Sequence, residues 1–388
     1  MWTPRDFSYR KLARKYNQDG AKEALRSSTE FVVRKLLAPP VLHRLIDRGI
    51  IQTVSRSELF SLSNRLYVSQ GRSNKSQSTE ITNSEFVADI GKGYVLPSTG
   101  LCVDRFGRLI REAVEPIETK NNFVIETLVW HGFYDSAKLL NALLSGNTST
   151  LDRHAKKVDV ICPLCPRFTN YYHWLIETIP KLRYAREYGS TFDVEITYLI
   201  PADGPAWFDQ TLQLLGVPCS NIEYATAPVY QANKLLIPSF PDLKYRNYCW
   251  IREEILKNTS SNKNAIGAGN NVYISRQNAV ERRVVNESDV IETLSKHGFE
   301  SYQLEENTVE ENVILFNEAD IIVGPHGAGL TDIIFCEKSR VIELFGSKVK
   351  EPYEQLAETL GLQYESLRCT PQSTDIQVNI KKLEQLIE

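Results

Sequence analysis

Three short segments carry residue types and spacings from which chemistry can be built. The first is Ile321-Ile-Val-Gly-Pro-His-Gly-Ala-Gly-Leu330, an apolar run that ends in a glycine-rich turn. Gly324, Gly327 and Gly329 let the backbone approach a ligand closely. With Ala328 and Leu330 they leave N–H groups open where a helix begins, which suits a diphosphate held by backbone donors and the helix dipole. His326 is expected to project into the same place; a tight turn with a satisfied histidine is the alternative. The second segment is Ser275-Arg276 followed by Arg282-Arg283. In a parallel sheet this loop leaves the carboxyl edge beside the glycine turn. Guanidinium groups there can clamp phosphate oxygens and stabilise charge on a departing diphosphate. A solvated basic loop is the bland alternative. Glu343, on the next strand, is either a partner for ribose hydroxyls or a buried structural carboxylate. The third segment runs from Asn170 to Leu182, where His173 and Glu177 stand i and i+4 on one helical face. Such a pair can orient an acceptor hydroxyl or take its proton, or it can be a plain surface pair.

Other chemistries find no support in the pattern. No two aspartates stand at i and i+2, so the acidic pair that commonly holds a divalent ion on a nucleotide-sugar is missing, and no metal site is expected. There is no GxSxG elbow and no P-loop lysine motif. The seven cysteines are scattered, and Cys162-Pro-Leu-Cys165 is a lone CxxC, read as two partly buried thiols rather than a zinc or redox site.

The elements needed to position these residues follow from periodicity. Residues 158–162, 196–200 and 234–237 read as strands, alternating with helices near 171–188, 205–216 and 247–258. After a polar hinge at 258–270 the pattern resumes, with strands at 271–275, 299–304, 320–324 and 340–345. Helices are expected at 287–297, 309–317, 330–335 and 351–361. Alternation at this spacing predicts parallel sheets covered by helices, in two α/β bodies at 85–258 and 271–388 that face a cleft. Ahead of them lie a basic helical segment, 1–50, and a polar connector, 51–84.

The chain has 388 residues, 45 Lys+Arg against 48 Asp+Glu, and a net charge of −3. Its length predicts two domains with an appendage, and the near balance of charge excludes a general nucleic-acid binder. The average conceals a break. Residues 1–50 hold eleven basic and five acidic residues, a net +6, which leaves −9 for the remainder.

Taken together, the segments resemble glycosyltransferase family 61, the family of capsular-polysaccharide, plant xylosyl and extracellular O-GlcNAc transferases. The resemblance is carried by His-Trp-Leu-Ile-Glu-x-x-Pro-Lys-Leu at 173–182, Ile274-Ser-Arg276 and Arg282-Arg-Val-Val-Asn286. It continues through Phe316-Asn-Glu-Ala-Asp-Ile-Ile-Val-Gly-Pro-His-Gly-Ala-Gly-Leu330 and Val341-Ile-Glu-Leu-Phe345, and covers about residues 155–346. It implies a GT-B-like fold of two Rossmann-like domains, and inverting transfer from a nucleotide-sugar without metal or cofactor. By position, it implies Arg276 and Arg282 at the diphosphate and the turn up to Gly329 at phosphate and ribose. The family hands over no undisputed base, so His173 and Glu177 stand on their own spacing. The acceptor implied is a glycan or a lipid-linked surface-polysaccharide precursor. A non-catalytic nucleotide-sugar-binding subunit of a polysaccharide assembly system is the rival reading. Animal members carry secretory or membrane segments not seen here, which predicts a cytoplasmic protein. Its 1–50 segment is expected either to rest on the anionic inner face of the plasma membrane, with Leu25, Phe31, Val32, Leu36, Leu37 and Leu42 as the apolar side, or to pack on the body.

Overall fold

The computed structural model describes residues 38–69, 85–114, 142–166, 168–241, 245–259, 271–346 and 352–388. Most of the basic segment and of the 258–270 hinge therefore lie outside the described residues, as do Leu25, Phe31, Val32, Leu36 and Leu37. The chain is mixed α/β and divides into two compact units. One comprises Met1–Pro163 with Ala227–Phe240, the other Leu164–Thr226 with Pro241–Glu388.

In the first unit, helix α1 (Ala38–Asp47) buries Leu42, so that side chain packs within the protein rather than facing lipid. The described part of the expected connector has structure of its own. Strand β1 (Thr53–Val54) precedes α2 (Arg56–Leu62), which begins with a capping box: Ser55 Oγ accepts from the Glu58 N–H, and the Glu58 carboxylate accepts from the Ser55 N–H. Strand β2 (Arg65–Val68) then pairs antiparallel with β3 (Phe86–Asp89). Strands β4 (Gly93–Leu96), β5 (Leu101–Asp104) and β6 (Leu109–Ile110) follow as tight antiparallel turns, with Gly107 at φ 79° where β5 returns into β6. The long strand β10 (Tyr230–Pro238) pairs parallel with β7 (Lys156–Pro163) but antiparallel with β3 and β4. The parallel pairing expected of the 158–162 and 234–237 strands is there, but β10 also joins antiparallel strands, so this sheet is mixed. The β3–β5 hairpins need only short turns and can occupy a sheet edge that a βαβ crossover cannot reach.

The second unit holds the residues of interest. Strands β8 (Thr197–Pro201) and β9 (Ile222–Ala225) pair in parallel, accompanied by helices α3 (Ile179–Phe192) and α4 (Trp207–Leu214). After α5 (Tyr245–Asn258) comes a five-stranded, wholly parallel sheet. Its strands are β11 (Asn271–Ile274), β12 (Phe299–Tyr302), β13 (Ile321–Pro325), β14 (Arg340–Phe345) and β15 (Gln363–Arg368), in the order β12-β11-β13-β14-β15. Helices α6 (Glu287–Lys296), α7 (Val309–Glu318), α8 (Pro352–Leu360) and α9 (Ile380–Ile387) complete it, with a hairpin of β16 (Thr370–Gln372) and β17 (Asp375–Gln377). The core between sheet and helices is apolar, built around Tyr273, Val290, Leu294, Val323 and Ile342.

The expected 85–258 body is thus not one unit, because residues 164–226 and 241–258 pack with the C-terminal sheet. Three contacts explain this. Gln210 on α4 accepts the Val309 N–H at the start of α7 at 2.9 Å. Arg252 on α5 donates to the carbonyl of Cys336, and Tyr172 stands edge-on to Tyr353 of α8 with ring centres 5.9 Å apart. All seven cysteines are unbridged, and Cys162 and Cys165 are buried.

Candidate functional site

In the order β12-β11-β13-β14-β15 the chain turns in opposite directions on either side of β11 and β13. A doubly wound sheet binds ligands outside the carboxyl ends of the strands at that point. β11 ends at Ile274 and leads into Ser275-Arg276; β13 ends at Pro325 and leads into His326-Gly327. Topology thus brings two of the three chemistry-bearing segments together. The approach is close: a Cβ on Gly327 would lie 2.1 Å from Arg276 Nη1, so only glycine leaves the guanidinium room. Gly324 instead lies inside β13 and serves packing, since a Cβ there would meet Ile274 at 3.0 Å.

Arg276 is half-buried and donates from Nη2 to the Glu281 carbonyl at 3.1 Å, while its buried Nε has no partner. Burial and the neighbouring charge of Arg282 both lower its pKa. Arg282 is held in the left-handed region at φ 64°. Among the described residues neither guanidinium forms an ion pair, so two positive charges stand close together, with the Glu305 carboxylate near enough to Arg276 to oppose part of the shift but not paired with it. Such an arrangement asks for an anion. Arg283, expected beside them, turns away and pairs with Asp375 through Nη2 at 2.8 Å.

After Gly327 the chain enters a 3-10 helix, Ala328–Phe335, in place of the expected α-helix from Leu330. The Leu330 N–H is taken by the Gly327 carbonyl at 3.0 Å, so it is not open to a ligand as the sequence suggested. The N–H groups of Ala328 and Gly329 lie ahead of the first helical bonds, where a helix start leaves donors open.

Glu343 does not wait for a ribose. It is fully buried, with Oε1 on His326 Nδ1 and Oε2 accepting from Tyr364 Oη at 2.7 Å. Strand register explains the cluster. Gly324 pairs with Glu343 and Pro325 with Leu344, so His326 emerges where Glu343 and Phe345 share one face, and its ring stacks on Phe345 at 5.4 Å. Burial, then the charge of Glu343, push the Tyr364 hydroxyl up, so it stays a donor.

His173 and Glu177 do pair, Nδ1 to Oε2 at 2.7 Å. They sit in a π-helical turn, His173–Thr178, rather than in the α-helix the spacing predicts. Pro180 supplies the reason. It has no N–H to continue an i→i−4 ladder and its ring crowds the preceding carbonyls, so the turn widens and the Ile179 N–H bonds back to Trp174 O. An aromatic chain then links the two histidines. Tyr172 stands edge-on to His173 at 5.7 Å and to Tyr353 of α8 at 5.9 Å, and Tyr353 contacts His326 at 5.3 Å.

Beside the glycine turn lies a cavity of about 650 Å³ within the second unit. Ile274, Leu304, Val309 and Trp207 give it apolar walls, and Arg276, Gly329 and Asp332 line it too. Its rim is rigid. Thr308 and Glu311 form a capping box at the start of α7, and Asn312 bonds both Asn307 and the Leu304 carbonyl. Among the described residues no group of three or more His, Cys, Asp or Glu side chains is placed to hold a metal ion. No described helix is long and apolar enough to cross a membrane.

Sequence reasoning missed Tyr172, Tyr353, Tyr364, Tyr171 and Asp332. The tyrosines carry no local signal, since they meet the site only through the topology. Asp332 did carry one: it is a lone acid in the apolar run Leu330–Phe335, three residues beyond Gly329. Residues 171–342 match the family model described as Glycosyltransferase 61. No curated protein matches the chain.

Proposed function

We propose that the chain, whose residues 171–342 match the Glycosyltransferase 61 family model, is a glycosyltransferase that moves a sugar from a nucleotide-sugar to a hydroxyl of a glycan or lipid-linked precursor, with inversion. The observation that carries this reading is Arg276, packed against the Gly327 turn without an ion-pair partner and with the Arg282 charge beside it. The two guanidinium groups and the Ala328 and Gly329 N–H groups receive the diphosphate and stabilise it as it departs, the role a divalent ion would otherwise fill.

The reaction is one in-line displacement. The acceptor oxygen forms a bond to the anomeric carbon as the bond from that carbon to the diphosphate oxygen breaks. The hydroxyl proton passes to His173 Nε2, while Glu177 on Nδ1 holds the ring and stabilises its charged form. His326, fixed by Glu343 and Tyr364, holds the glycine turn in register. The protein is proposed to act at the cytoplasmic face of a membrane, with residues 1–50 supplying a basic contact.

Arg276→Ala tests the reading. Turnover should fall by two orders of magnitude or more while the far-ultraviolet circular dichroism spectrum and melting temperature hold. A folded variant with unchanged kinetics removes the assignment.

A further inference from the structure

The cavity beside the glycine turn has a polar floor that the diphosphate does not use. Asp332 lies three residues beyond Gly329 in the 3-10 helix, and at three residues per turn the two share a face, so both line the cavity. Asp332 is 1% exposed, and its Oδ1 has no hydrogen-bond partner. Tyr171 Oη, at the same cavity wall, is likewise buried; it stands beside the Asp332 carboxyl, near enough for each to shift the other's titration, but the two do not meet in hydrogen-bond geometry. Among the described residues no cation pairs with Asp332. Arg252 of α5 is committed to the Cys336 carbonyl, α7 meets the cavity with Val309 and Asn312, and Arg276 and Glu305 are the charged groups elsewhere in the lining. Burial pushes the Asp332 carboxyl up to about 7, with the adjacent Tyr171 hydroxyl pulling the other way.

A buried acceptor and a buried hydroxyl left without partners destabilise a fold, and natural proteins keep few of them. In a cavity wall they gain a partner when a ligand supplies a donor, and they reject a ligand that lacks one. Which part of the donor reaches them follows from the lining. Arg276, Ala328 and Gly329 line the cavity, whereas His173 and His326 do not. With His173 as the proposed base, the half of the donor that fits this cavity is the nucleoside, not the reacting sugar.

We propose that Asp332 and Tyr171 form a specificity-determining pair that takes a hydrogen bond from the nucleoside half of the donor, a base N–H or a ribose hydroxyl, and so selects which nucleotide-sugar the protein accepts. This rests on the proposed function, in that it takes the donor to be a nucleotide-sugar.

Titration calorimetry of the full chain with UDP, GDP, ADP, CDP and inorganic pyrophosphate tests the pair. The wild type should prefer one nucleoside diphosphate, and bind it more tightly than pyrophosphate. Asp332→Ala should weaken that nucleotide at least tenfold and flatten the ranking, with pyrophosphate changed less than twofold. Tyr171→Phe should shift the ranking in the same direction by a few-fold, and it carries the test if the alanine variant does not fold. With the preferred nucleotide, a 2′-deoxy analogue that loses affinity assigns the contact to ribose, and an N-methylated base that loses affinity assigns it to the base. If both variants keep the wild-type affinities and ranking, the pair is structural and the proposal is overturned, while the transferase reading stands. If the wild type binds pyrophosphate but no nucleoside diphosphate, the proposal is overturned as well. If it binds neither, the proposed function falls with it.

Discussion

The second unit contains two histidine–carboxylate pairs of the same composition and opposite surroundings. His173 and Glu177 keep 23% and 19% of their side-chain surface exposed, in a widened helical turn with one short bond between them. His326 and Glu343 keep 10% and 0%, in a cluster closed by Tyr364 and Phe345. A proton acceptor must reach a hydroxyl that arrives from solvent, and must be free to change charge. A buried pair whose carboxylate oxygens are both occupied is poor at that but good at fixing a loop. On the proposed mechanism, chemistry falls to the first pair and positioning to the second, although the sequence motif around His326 is the more conspicuous of the two.

The largest expected effect breaks the comparison on its chemical side. His173→Ala should lower kcat roughly 10²–10⁴-fold with the melting temperature nearly unchanged; steady-state kinetics beside a thermal melt read both. Glu177→Gln should lower kcat less, roughly ten- to a hundredfold, because the base remains and only its orientation and charge support are lost. On the structural side the pattern should invert. Glu343→Gln leaves His326 and Tyr364 without their shared carboxylate and should destabilise the fold by about 1–3 kcal/mol, read by urea denaturation. If that variant melts as the wild type does and loses only kcat, the division of roles is wrong.

Asp332 sharpens the comparison, as a buried acid with no histidine beside it. Its carboxyl is raised from 3.8 to about 7 by burial, so the folded chain holds a proton that the unfolded chain releases. The associated stability is fully present below the unfolded value and is lost as pH rises through about 7, at up to about 1.4 kcal/mol per unit. Asp332→Asn should therefore melt higher than the wild type at pH 8, with the gap shrinking as pH falls to 5. A gap that does not vary with pH would mean that burial does not set this carboxyl.

Legibility in the sequence followed distance along the chain. The 321–330 segment could be read because a buried strand, a glycine turn and a helix start are consecutive, and the 173–177 pair because four residues separate its members. Glu343 could not be placed from sequence, because both of its partners come from other strands, Tyr364 from β15 and His326 from the end of β13. The same limit hid the mixed sheet of the first unit, where β10 pairs with strands more than a hundred residues earlier. The π-helical turn was foreshadowed by Pro180, a residue the 3.6-residue period counts as one more helical position.

The most direct measurement is release of nucleoside diphosphate from UDP-, GDP- and dTDP-sugars, offered with glycan and lipid-linked acceptors, by wild type, His173→Ala and Arg276→Ala side by side. The account predicts turnover of one donor by the wild type, binding without turnover by His173→Ala, and weakened binding as well as lost turnover by Arg276→Ala. A wild-type protein that binds a nucleotide-sugar yet releases nothing across the panel would contradict it, and would point to a binding subunit in place of an enzyme.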